Sequence, residues 1–102
     1  VIERSDWPDH LAGAIATEGL FYMTSGDLHQ GVTFYNRAKD AADSTFRNAI
    51  EQKKRYEMGL FYLRTHDKKK AIKELQAVSA MDSDEKLCKL HAVKLLKELA
   101  HN

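Results

Sequence analysis

At 102 residues, with 43% hydrophobic and 30% charged residues, the chain has the size and balance of one soluble domain with a modest core. No apolar run approaches the roughly 18 residues that span a bilayer, the charged start Val1-Ile2-Glu3-Arg4 lacks the apolar stretch of a signal peptide, and Cys88 has no second cysteine to bridge, so no oxidising compartment is implied. Net charge is +1 but uneven: residues 1–45 hold three Lys/Arg against seven Asp/Glu (−4), and residues 46–102 hold thirteen against eight (+5), a split that suits an acidic partner or head-to-tail self-association.

Helix signals then follow one another along the chain. Trp7-Pro8-Asp9 reads as a helix start, with proline tolerated in the first turn and aspartate favourable to the helix dipole. The first helix runs from Pro8 to about Thr24 on Leu11, Ile15, Leu20, Phe21 and Met23, and Ser25-Gly26-Asp27 breaks it. Asp27 caps the second, and Gln30 three residues on completes a capping-box-like pair. That helix runs to about Asp43, with Val32, Tyr35 and Ala38 on one face. The third spans about Ser44 to Arg64, its apolar face given by Phe46, Ile50, Leu60, Phe61 and Leu63, and Thr65-His66-Asp67 ends it. The fourth runs from Lys68 to about Ala80 on Ala71, Ile72, Leu75 and Val78, spaced three or four apart. After Met81-Asp82-Ser83, with Asp82 (paired with Glu85) or Ser83 as cap, the last helix sets Leu87, Leu90, Val93, Leu95, Leu96 and Leu99 opposite its lysines. Strict alternation never lasts, so no strand is expected.

The chain repeats itself. Gly19-Leu20-Phe21-Tyr22 recurs as Gly59-Leu60-Phe61-Tyr62 and Asp27 as Asp67, all at one constant offset. At the same offset Met23 meets Leu63, Ser25 meets Thr65, Gly31 meets Ala71, Val32 meets Ile72 and Tyr35 meets Leu75. A period of about 40 residues with two helices per unit reads as a helical solenoid.

These residues resemble the tetratricopeptide repeat. Gly19, Tyr22, Gly31 and Tyr35 in the first unit, and Gly59, Tyr62, Ala71 and Leu75 in the second, follow that family's glycine, aromatic, small and large apolar spacing. Ala38 and Val78 occupy its later small position, and Gly26-Asp27 its turn. The period is longer than the family's, which is about 34 residues, the tryptophan-like position holds Ile15 and Arg55, and the closing proline is missing, with Asp43 and Asp82 nearby. The resemblance implies an all-α α-α superhelix of about five antiparallel helices. Within a single domain over 1–102 these are two hairpins, at about 12–43 and 52–83, plus a capping helix over about 84–101. Lacking an initial methionine, the chain reads as a fragment or a processed form of something longer.

It also implies a non-catalytic interaction or scaffold module that binds a peptide, a partner protein or itself. First helices line the groove in such arrays, which here gives Leu20 and Met23, then Lys53, Tyr56, Leu60, Leu63 and Arg64, an apolar surface with a basic edge. Ala16, Leu20 and Glu57 stand where some members carry a carboxylate clamp, so a chaperone tail is a poor ligand. No nucleotide-binding glycine motif, HExxH or nucleophile with a base at a recognisable spacing is present, so no enzyme activity and no cofactor are expected. Cys88 and His91, one turn apart, lack evident further ligands, so no metal site is expected. Lys68, Lys69, Lys70 and Lys73 form an anion-binding patch under the alternative reading, an accessory domain of a larger regulatory or nucleic-acid-associated protein. Interleaved acids make a solvated face the simpler account of those lysines. The expected setting is cytoplasmic and away from membranes.

Overall fold

The computed structural model describes residues 7–81 and 86–100. They form five helices: α1 (Trp7–Thr24), α2 (Leu28–Ala41), α3 (Ser44–Arg64), α4 (Lys68–Ala80) and α5 (Lys86–Ala100). There is no strand among the described residues. The expected all-α class and helix count are therefore correct, with α2 ending before the expected Asp43. The expected caps of the last helix, Asp82 and Ser83, lie outside the described residues.

The hairpin turns explain why the helices stop where they do. In the first, Asp27 N–H donates to the Tyr22 carbonyl at 2.9 Å and Gly26 N–H to the Met23 carbonyl at 3.2 Å, which is a Schellman closure. Gly26 takes a positive φ of 96°, a region open to glycine at little cost. The Asp27 side chain then accepts the Gln30 N–H at 3.1 Å, so one residue closes α1 with its backbone and caps α2 with its carboxylate. The second turn repeats this bond for bond. Asp67 N–H donates to Tyr62 at 2.8 Å, His66 N–H to Leu63 at 3.2 Å, and the Asp67 carboxylate accepts the Lys70 N–H at 3.2 Å. Here His66 carries the positive φ, at 63°.

The chain divides into two compact units, 1–51 and 52–102, with the boundary inside α3. In the first, α1 packs on α2. The helices approach closely because Gly19 and Gly31 lack side chains: a Cβ at Gly19 would lie 2.9 Å from Tyr35 Cδ2, and one at Gly31 2.5 Å from Met23 Cγ. Ala12, Met23, Tyr35, Ala38, Ala42 and Ile50 are buried there, and burial of a side chain of Tyr35's size contributes roughly 2 kcal/mol or more. Asp43 caps α3 by accepting the Phe46 N–H at 2.9 Å. Arg47 reaches back to the Ala42 carbonyl at 3.1 Å and to the Lys39 carbonyl at 3.0 Å, which also accepts the Ala42 N–H at 3.2 Å, so the end of α2 is closed from both sides.

In the second unit α4 packs on α5. Leu75, Val78, Cys88 and Ala92 form its core, with Tyr56, Leu63, Leu95, Leu96 and Leu99 packed against it. A Cβ at Gly59 would meet Leu75 at 3.0 Å, the counterpart of Gly19 and Tyr35. Two expectations need correction here. Leu87 and Leu90, expected on the apolar face of the last helix, are exposed, and the smaller Cys88 and Ala92 face the core instead. Small residues let α5 lie close to α4, and Leu95, Leu96 and Leu99 supply the bulk. The buried residues of α3 are also not simply apolar, because they include Gln52, Lys54 and Glu57, and Gln52 and Lys54, two residues apart, lie on opposite faces of the helix.

α5 carries the register of a third first helix. Ala92 follows Gln52 by one period, as Gln52 follows Ala12, and all three are fully buried. Leu99 stands where Gly19 and Gly59 stand in α1 and α3. Leu99 packs instead against the core of the second unit.

Candidate functional site

The first helices were expected to line a binding surface, and the structure sorts those residues into two kinds. Met23 is fully buried over Gly31, so it is a hairpin core residue and is closed to a ligand. Tyr56 and Leu63 pack against the core of the second unit, on the cluster that α5 completes. Leu20 and Leu60 keep partial exposure, and Arg64 is exposed at the end of α3. Lys53 pairs with Glu57 at 3.1 Å one turn on and lies 5.6 Å from the Tyr56 ring centre. In the second unit, then, the accessible surface reduces to Leu60 flanked by Lys53 and Arg64. In the first it reduces to Leu20.

Tyr56 sits among charges. Burial first, then the neighbouring Glu57 and Cys88, raise its phenol above the ordinary value of 10.0, while Lys53 opposes them. Its ring centre is 6.2 Å from that of His91, which is exposed on α5. The nearby Cys88 thiol is buried in the core. No group of three or more His, Cys, Asp or Glu among the described residues could hold a metal ion.

All four lysines of the anion patch, Lys68, Lys69, Lys70 and Lys73, are exposed. Lys70 is engaged locally, 3.7 Å from the Asp67 carboxylate and 5.6 Å from the centre of the Tyr62 ring. Three cations at a helix start oppose its dipole, and Asp67 at the cap offsets part of that.

Other charges are spent inside the fold. Glu51 meets Lys39 at 2.9 Å, and Glu74 meets Arg55 at 3.3 Å. The fully buried Gln52 amide donates to the Val78 carbonyl at 3.3 Å, near the end of α4. Sequence reasoning missed this residue, although its place one period after Ala12 was a signal.

No protein family, curated protein or solved structure matches the chain. No helix among the described residues is long and apolar enough to cross a membrane.

Proposed function

We propose that the chain is a tetratricopeptide-like, non-catalytic interaction module that holds a peptide or partner protein on the outward faces of α1 and α3. The observation that carries this reading is the repeat itself. Two hairpins one period apart share the Schellman closure, the aspartate cap and the glycine-to-large-side-chain contact. Helical hairpins repeated in this way present extended surfaces for binding. The carboxylates also serve structure: Asp27, Asp43 and Asp67 cap helices, and Glu51, Glu57 and Glu74 pair with Lys39, Lys53 and Arg55. A cytoplasmic setting suits a chain whose lone cysteine is a buried packing residue.

Leu60 between Lys53 and Arg64 favours a ligand with an apolar side chain next to an acid. Selection from a random peptide display library tests this. Acidic-apolar sequences should emerge, bind at moderate salt, and lose about tenfold in affinity with Arg64→Glu or Leu60→Asp. The alternative reading predicts the reverse pattern. Oligonucleotides would bind with a steep salt dependence, and Lys68→Ala with Lys69→Ala would remove the binding.

A further inference from the structure

On α1, Leu11, Ala14, Glu18 and Phe21 are all exposed and share one face at spacings of three, four and three. Leu11 is 46% exposed and Phe21 64%. One period on, the same strip of α3 is Glu51, Lys54, Met58 and Phe61, and every one is buried or half-buried. What meets that strip at its start is the end of α2: Glu51 pairs with Lys39 of α2 at 2.9 Å. The strip is thus exposed on α1 and largely covered on α3.

α5 offers a face of matching pattern. Leu87, Leu90, Lys94 and Lys97 are exposed at the same spacings of three, four and three, with Leu90 67% exposed. One strip is apolar with an acid, and the other is apolar with two cations. The units that bear them have opposite charge: residues 1–51 hold four Lys/Arg against eight Asp/Glu (−4), and residues 52–102 hold twelve against seven (+5). Two helical strips with heptad-like spacing can interdigitate, and opposite charge sets which strip chooses which.

We propose that α5 of one copy docks on α1 of another, a head-to-tail contact in which Leu90 packs beside Phe21 and Lys94 or Lys97 meets Glu18. The occupant of the α1 strip is therefore a second copy of this chain. The contact uses faces other than Leu20 and Leu60, so it stands or falls apart from the ligand proposed for those residues.

Such a contact joins unlike surfaces, which permits a complementation test. The whole chain, Phe21→Glu and Leu90→Glu would be followed by sedimentation velocity up to about 1 mM protein. Both substituted residues are exposed, and circular dichroism would confirm that each variant is folded. The unaltered chain should self-associate, and more weakly as salt rises from about 50 to about 500 mM. Each variant alone should associate at least about tenfold more weakly. Mixed, they should form a one-to-one dimer, because each supplies the strip the other lacks. A chain monomeric at every concentration overturns the proposal, as it would if a foreign partner were the true occupant. So do variants that associate like the unaltered chain, and variants that fail to complement.

Discussion

Met23 lies over Gly31 so closely that a Cβ there would sit 2.5 Å from its Cγ. At the same positions of the second hairpin stand Leu63 and Ala71. The longer, unbranched methionine goes with glycine and the more compact, branched leucine with alanine, as a fixed gap between two packed helices requires. Gly31→Ala should therefore destabilise by about 1–2 kcal/mol, overpacking outweighing the gain in helix propensity. Met23→Leu together with Gly31→Ala rebuilds the second hairpin's pair and should recover most of that loss. Urea unfolding of both single variants and the double gives the coupling, expected at about 1 kcal/mol. Simple additivity would count against this packing account.

The two turns differ at one position. Gly26 has open space around the site of a Cβ, so only backbone strain opposes a side chain there. Gly26→Ala should destabilise by about 1 kcal/mol, whereas His66→Gly should stabilise by a few tenths to about 1 kcal/mol. Opposite signs in thermal unfolding are the expected result. Loss of either cap, by Asp27→Ala or Asp67→Ala, should cost about 1 kcal/mol, with Asn retaining most of the stability.

Gln52 fills a fully buried site and donates to the Val78 carbonyl at 3.3 Å. Gln52→Ala removes that bond and leaves a gap, so it should cost roughly 2 kcal/mol by urea unfolding. Exposed Gln76→Ala, on α4, should change stability by less than about 0.5 kcal/mol. Equal effects of the two substitutions would refute a structural role for the buried amide.

Tyr56 makes stability depend on pH in a defined direction. Its phenol is raised above 10.0 in the folded chain, chiefly by burial, so the folded state holds the proton more tightly than the unfolded one. Its contribution is fully present below the unfolded value and is lost as pH rises through the folded value. Unfolding free energies from pH 8 to pH 11 should thus fall more for the unaltered chain than for Tyr56→Phe, the gap opening above about pH 10. Parallel curves would show that Tyr56 is not coupled to folding.

Much of this fold was legible in the chain. Gly26-Asp27 and His66-Asp67 marked the turns because capping and helix closure depend on residues a few positions apart. The spacing of Ala71, Leu75 and Val78 marked the buried side of α4 for the same local reason. Phe21 and Phe61 show where that stops. They are the same residue in the same motif, yet Phe21 is exposed and Phe61 half-buried. Likewise periodicity alone cannot choose between Leu87 with Leu90 and Cys88 with Ala92 for the core side of α5. Met23, too, reads as a groove residue until Gly31 is placed beneath it. The helices, the two hairpin turns and the register of the repeat follow from the chain alone, because they depend on short-range backbone bonding and side-chain period. Which apolar residues are covered was settled by tertiary packing, because burial is set by what a distant part of the chain brings alongside.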